Sequence, residues 1–207
     1  MARATVGSAL ALSLAAGPSI GPDRLPPLSV EQQSPAQKAA SEEFLRTRKT
    51  PVFGPFTPLL RSPDLMLAAK DMGDYLRYKS SLGQHISEFS ILVVARQWNQ
   101  PVEWEIHQPI ALKNGVSQAT ADAIAAGGRP ADMDANEAVA YDFLTELDRT
   151  RQVKDATYAR AAKAFGEPGV VDLTGIAGYY TLLAMTMNVA RTPTSTDTPP
   201  KLPALKP

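Results

Sequence analysis

Residues 85–98 read HISEFSILVVARQW, and whether this run is a strand or a helix decides the fold. Its β-branched residues would suit a strand. However, Ile86, Phe89, Leu92 and Val93 fall on a helical stripe, and no partner strand is visible elsewhere in the chain. The run is apolar on most faces, so it reads as a central helix.

Working outward, the neighbouring segments carry helix punctuation. Downstream, Pro101 opens a helix to Asn114, and Gly115 supplies its stop. Ser117 caps a short helix that Gly127 ends. Asp134-Ala135-Asn136-Glu137 is a capping box with Asp in the Ser/Thr position. It opens a helix to residue 150 with Ala138, Tyr141, Leu144 and Leu147 inward. Asp155 caps the next helix, which Gly166 stops. Pro168 then begins a long apolar helix to Ala190, with Gly175 and Gly178 on nearly one face for close packing. Upstream, Pro63 opens a helix to residue 79, with Leu65, Leu67, Ala68, Met72, Tyr75 and Leu76 at helical spacing. Residues 36–48 form a further helix that stops before Pro51. The expected class is all-α: eight helices, seven of them in one domain over residues 63–192.

Proline marks the ends of that domain. Of the 18 prolines, nine lie in residues 1–63, five in residues 193–207 and four between. Proline removes a backbone donor and clashes one turn back, so these flanks read as extended. Residues 23–62 are an N-terminal arm with one helix, laid across the body by Phe53 and Phe56. Residues 193–207 are a Pro-rich tail. Residues 1–22 begin Met1-Ala2-Arg3 and continue through an apolar run from Ala4 to Ala16, which Gly17-Pro18 closes. That pattern is expected of a cleaved export signal or a disordered leader. A cleaved leader would make the protein periplasmic or secreted; an uncleaved one would leave it cytoplasmic.

Composition excludes whole classes of chemistry. Lys+Arg and Asp+Glu are both 21, so there is no basic surplus to track phosphates, and no nucleic-acid partner is expected. There is no cysteine, which removes disulfides, thiolate metal sites and thiol nucleophiles. Two histidines cannot build a multi-histidine metal site, and no metal is expected. Past the leader no stretch makes a clear membrane span, so no membrane partner is expected.

The unusual residues lie between 88 and 107. Glu88 sits in the apolar helix, and Glu103 and His107 share a face of the next through i,i+4 spacing. A carboxylate beside an imidazole orients the ring and can pass protons near neutral pH. Plainer readings fit as well. If Ser87 caps its helix, Glu88 merely complements the dipole. Glu103 and His107 can be a surface pair, and Trp104 can be plain core. His85, at the start of its helix, is expected to face water outside any site.

Three blocks carry a resemblance: GDYLRYKSSL from Gly73, SEFSILVVARQWNQPVEWEIHQPIALKNG from Ser87, and FGEPGVVDLTGIAGYYTLLAMTMNVARTP from Phe165. Together the stretch Gly73 to Arg191 resembles the carboxymuconolactone decarboxylase family, which includes the alkylhydroperoxidase AhpD-like proteins. The resemblance implies a helical bundle assembled as homo-oligomers, trimers or hexamers. It also implies a relay of Glu, Cys-x-x-Cys and His. Glu88 and His107 match its outer positions, while Gln100 and Glu103 stand where the cysteines would be. Peroxidatic thiol chemistry is therefore excluded. The decarboxylase branch implies a cofactor-free lyase or isomerase acting on a small lactone or carboxylic acid. In that reading His107 carries the proton, Glu103 orients it or acts as a second base, and Glu88 is the buried partner. Trp104, Tyr179 and Tyr180 are expected as pocket walls, and Arg96 is expected to hold a substrate carboxylate. The competing reading is a non-catalytic oligomeric protein of the same fold that binds a small molecule.

Overall fold

The computed structural model describes residues 21–194 and 202–203. Most of the expected leader and most of the Pro-rich tail lie outside the described residues. Among those described, the regular structure is entirely helical. The helices are α1 (Pro35–Arg48), α2 (Phe56–Leu59), α3 (Pro63–Tyr78), α4 (Gly83–Gln97), α5 (Pro101–Lys113), α6 (Gln118–Ala125), α7 (Ala135–Thr150) and α8 (Asp155–Ala190).

Helix α4 is the axis of the molecule. Every residue from Ile86 to Arg96 is buried, and α3, α5, α6, α7 and α8 all pack on it. A helix apolar on nearly all faces must be surrounded. Because α4 begins at Gly83, Ser87 lies inside it and caps nothing; its hydroxyl donates to the Leu76 carbonyl (3.2 Å). Glu88 is therefore a carboxylate in the core, which removes the dipole explanation.

The punctuation fixes most of the other ends. Ser117 accepts from Thr120 N–H (2.9 Å) at the start of α6. Asp134 accepts from Asn136 and Glu137 N–H, and Glu137 accepts from Asp134 N–H, closing the capping box on α7. Lys154, one residue before Asp155, is the N-cap of α8. Within α8 the backbone breaks at Gly166 (φ 68°, ψ 172°), so two helical segments meet there, Pro168 lying in the first turn of the second. By length and composition α8 could cross a membrane, but half of its most apolar window is buried inside the molecule.

Two inward faces differ from expectation. On α3, Leu65, Met72 and Tyr75 are each nearly half exposed. The buried face is Met66, Ala69, Lys70, Gly73 and Leu76. The helix carries two apolar stripes, and the one containing Gly73 wins because only a glycine fits there. A Cβ on Gly73 would lie 2.3 Å from the Tyr179 hydroxyl. On α7 Leu144 is buried as expected and Tyr141 and Leu147 pack partly buried against the core, but the fully buried apolar residues are Ala140, Phe143 and Leu144, a face turned slightly from the expected one. Gly175 does admit a close neighbour, since its Cβ would meet Leu76 at 3.1 Å, whereas Gly178 faces open space.

The arm is clamped to the body. Phe44 of α1 packs against Phe56 (centroids 4.9 Å) and Phe53 (6.1 Å). Arg24 N–H donates to the Ala190 carbonyl (2.7 Å), holding the start of the arm at the end of α8.

Candidate functional site

Three helices bring the candidate residues together. Glu88 comes from α4, Glu103 and His107 from α5, and Tyr179 and Tyr180 from α8. Gln100 caps α5 by accepting from Val102 N–H (2.7 Å). This tight start places Glu103 and His107 one turn apart, facing α4.

Glu88, Glu103 and His107 are at most 4 % exposed. His107 Nδ1 lies 2.7 Å from Glu88 Oε2. A carboxylate accepts, so Nδ1 carries the hydrogen and donates. Glu103 Oε2 lies 3.4 Å from Nε2, the other ring nitrogen. The second oxygen of Glu88 accepts from Arg77 Nε on α3 (3.1 Å). Glu103 Oε1 is buried without a hydrogen-bond partner. The edge of one aromatic ring meets the face of the next through this region, His107 to Tyr180 (5.2 Å) and Tyr180 to Tyr179 (5.0 Å).

The environment drives the two carboxyls apart. Burial pushes Glu88 upward, but the His107 ring and the Arg77 guanidinium outweigh it and hold the group below the ordinary carboxyl range. Burial pushes Glu103 up to about 8; Arg77 opposes this only in part and the Glu88 charge adds to it. Burial also pulls the His107 imidazole down, with Glu88 opposing. Glu88 already has Arg77 as its counter-ion, so a neutral ring between an ionised Glu88 and a protonated Glu103 is the consistent charge assignment near pH 7. Burial raises both Tyr179 and Tyr180, which stay as neutral phenols.

Arg77, Glu103, His107, Tyr179 and Tyr180 line a cavity together with Ile106 and Leu183 and, from the arm, Arg48, Phe53, Pro55 and Phe56, while Glu88 lies behind His107. The space inside is about 20 Å³, room for roughly one water. The arm thus forms one wall. Arg48 is held there by Asp74 (2.9 Å) and by the Phe56 ring (4.8 Å), and its Nε is buried without a partner.

Two expected site residues are elsewhere. Arg96 does not reach the cavity. Its guanidinium donates to the Ala125 carbonyl (2.8 Å), to the Pro203 carbonyl (2.6 Å) and to the Asn99 side chain. It is a buried tie between α4, the end of α6 and the C-terminal tail, with no donor group aimed at a substrate. Trp104 is in the hydrophobic core and lines no part of the cavity.

Arg77 and Arg48 were not singled out in the sequence. Both stand in the last turn of a helix, where a basic residue ordinarily just complements the dipole. Neither position carries a local signal that a carboxylate or a cavity lies beneath it.

No family model matches the chain, and no curated protein sequence does. The fold is similar to a crystal structure of an uncharacterized peroxidase-related protein from Silicibacter sp. TM1040. The TM-score is 0.67, and the match covers 88 % of this chain and 98 % of that one at 14 % identity. At that identity the likeness establishes the helical fold, and nearly the whole of the other chain is spanned by it.

Proposed function

We propose that this chain is a cofactor-free acid–base enzyme of carboxymuconolactone decarboxylase-like type, acting on a small carboxylic acid or lactone. One observation carries the reading. The two nitrogens of a single buried imidazole face two buried carboxyl groups, at 2.7 and 3.4 Å, whose surroundings push their pKa values in opposite directions. Separation of this kind is how one site supplies both an acid and a base at neutral pH.

In the proposed reaction His107 Nε2 takes a proton from a carbon beside a carbonyl. The imidazolium formed is stabilised through Nδ1–H by the Glu88 anion, itself anchored by Arg77. Glu103, in its acid form, delivers a proton to a second carbon of the conjugated system. His107 then returns its proton to Glu103, and the net change is an isomerisation. Where the substrate carries a labile carboxylate, the C–C bond breaks instead. The electron pair flows into the conjugated system, CO2 leaves, Glu103 protonates the far carbon, and solvent restores its proton. Arg48 and Arg77 supply the positive charge that a substrate carboxylate needs. Thiol peroxidase chemistry has no nucleophile here, since the chain lacks cysteine.

The test is a panel of lactones and unsaturated carboxylic acids, followed by ultraviolet absorbance, CO2 release and deuterium uptake from D2O. Turnover or exchange lost in both His107→Ala and Glu103→Gln supports the reading. A compound that binds tightly with neither turnover nor exchange overturns it in favour of a binding protein. That second reading draws on the same cavity, which as it stands has room for about one water.

We also propose that the chain is exported by cleavage of its leader and associates into homo-oligomers. Association is supported by two apolar stripes left exposed, Leu65, Met72 and Tyr75 on α3 and Val171, Met185 and Val189 on α8. Gly178, open to solvent, lies in the second stripe.

A further inference from the structure

We infer that His85, Asp134 and Glu137 form a binding site for a divalent transition-metal ion of the zinc type, separate from the acid–base cavity. None of the three lines that cavity. His85 is in the first turn of α4, Asp134 caps α7 and Glu137 is in its first turn.

The tautomer of His85 sets the problem. Its Nδ1 lies 2.8 Å from the Asn114 carbonyl oxygen. A carbonyl only accepts, so Nδ1 bears the hydrogen. In the neutral ring Nε2 then presents a lone pair. That nitrogen is buried, has no hydrogen-bond partner, and faces Glu137 Oε1 at 3.1 Å and Asp134 Oδ2 at 3.5 Å. Three electron-rich atoms thus lie within 4.8 Å of one another, an arrangement that either a second proton on the ring or a metal ion among them would hold together, and the titration below separates the two.

The spacing suits a metal. Bonds of about 2.0–2.1 Å in a tetrahedral site place neighbouring ligand atoms about 3.3–3.4 Å apart, and the two distances from Nε2 bracket that value. The ligand set, one imidazole and two carboxylates, is that of zinc and its divalent neighbours. The outer contacts are also those of a metal site. A ligating histidine characteristically donates its other N–H to a carbonyl, as His85 does to Asn114.

Each carboxylate is positioned in advance by the capping box. Asp134 Oδ1 accepts two backbone N–H groups (2.8 Å each) and Glu137 Oε2 accepts one (3.0 Å). One oxygen of each is thereby left to face the ring. The Glu137 side chain is 95 % buried, being 5 % exposed, while Asp134 is 57 % exposed. An ion can therefore enter from the Asp134 side and keep water on its remaining position. Gly115 (φ 104°) makes room, since a Cβ there would lie 3.0 Å from His85 Nδ1. A bound ion would tie the start of α4 and the end of α5 to the start of α7.

Calorimetric titration of the metal-free full-length protein with zinc chloride in a non-chelating buffer tests this. The expected result is one zinc per chain and a rise in Tm. Affinity should fall at least about 100-fold in His85→Gln and about tenfold or more in Glu137→Gln. The glutamine at 137 still closes the capping box, so the second variant removes charge without removing the cap. Absence of binding, or undiminished binding in both variants, overturns the site. Wild-type protein gives an independent answer, because the chain has only two histidines. Zinc should shift the ring signals of His85 and leave those of His107 in place. A shift confined to His107, or none, overturns the assignment.

Discussion

Arg77 on α3 donates to Glu88 on α4 (Nε to Oε1, 3.1 Å), and this contact lets a carboxylate remain charged in the core. The histidine on the other oxygen supplies a hydrogen bond without a charge. Replacing Arg77 by Met should leave Glu88 as a buried anion without a counter-ion. The expected loss is about 3–5 kcal/mol of folding stability, as for other broken buried pairs. Urea denaturation at pH 7 measures it; a loss near zero would mean that Glu88 is not charged.

Glu103 makes stability depend on pH in an unusual direction. Its carboxyl is raised from 4.5 to about 8 by burial, so between those values the folded state holds a proton that the unfolded state has released. Stability from this group is complete below pH 4.5, falls as pH rises, and levels off above about 8. Glu103→Gln removes that dependence. The variant should gain on the wild type progressively across the window, and denaturation at four or five pH values would show it. A constant difference would place the group in solvent.

His107→Ala takes a donor from Glu88 and leaves a cavity between α4 and α5. It should cost about 1–3 kcal/mol and abolish any turnover. Calorimetric Tm and the substrate panel read the two effects separately. A variant as stable as the wild type would show that the Glu88 contact (2.7 Å) contributes nothing to folding.

Association through the exposed stripes predicts that charge placed there dissociates the assembly without unfolding it. Met185→Lys and Met72→Lys change residues that are 43 % and 44 % exposed. Light scattering at micromolar protein should give a multiple of 22.2 kDa for the wild type and a smaller mass for the pair of changes. A monomeric wild type would end the proposal.

Export predicts a shortened N-terminus. Protein recovered from its host should begin beyond the apolar run that ends at Ala16. Intact mass spectrometry reporting Met1 or Ala2 would remove the leader.

What could be read in the sequence follows from how local each signal is. The capping box at Asp134, the Ser117 cap and the breaks at Gly127 and Gly166 act within a few residues, and each is found where the sequence puts it. The Glu88–His107 contact spans 19 residues, within reach of a helix–turn–helix, but it is the resemblance to the family's Glu-to-His relay that pairs the two in the sequence. The inward face of α3 was not legible. Two apolar stripes compete there, and the choice depends on Tyr179 arriving over Gly73 from 106 residues away. Arg96 misled for a related reason: its partners, Ala125 and Pro203, are distant in sequence. A lone arginine in an apolar run gives no sign whether it meets a ligand or the ends of its own chain.

The wall contributed by Phe53 and Phe56 would turn entry into a rate process. The space behind them is about 20 Å³, so a larger ligand needs some part of the lining to move; were it these rings that part from Phe44, occupancy would be gated by an opening equilibrium that belongs to the empty protein. Measured affinity is then the intrinsic value reduced by the open fraction. Solvent viscosity should slow association even for a ligand that fits well. A chain trimmed to begin at Pro63 would keep α3 to α8, which bear the acid–base residues, yet lose that control. On that reading the piece that looks like an appendage would set the timing of whatever the bundle does.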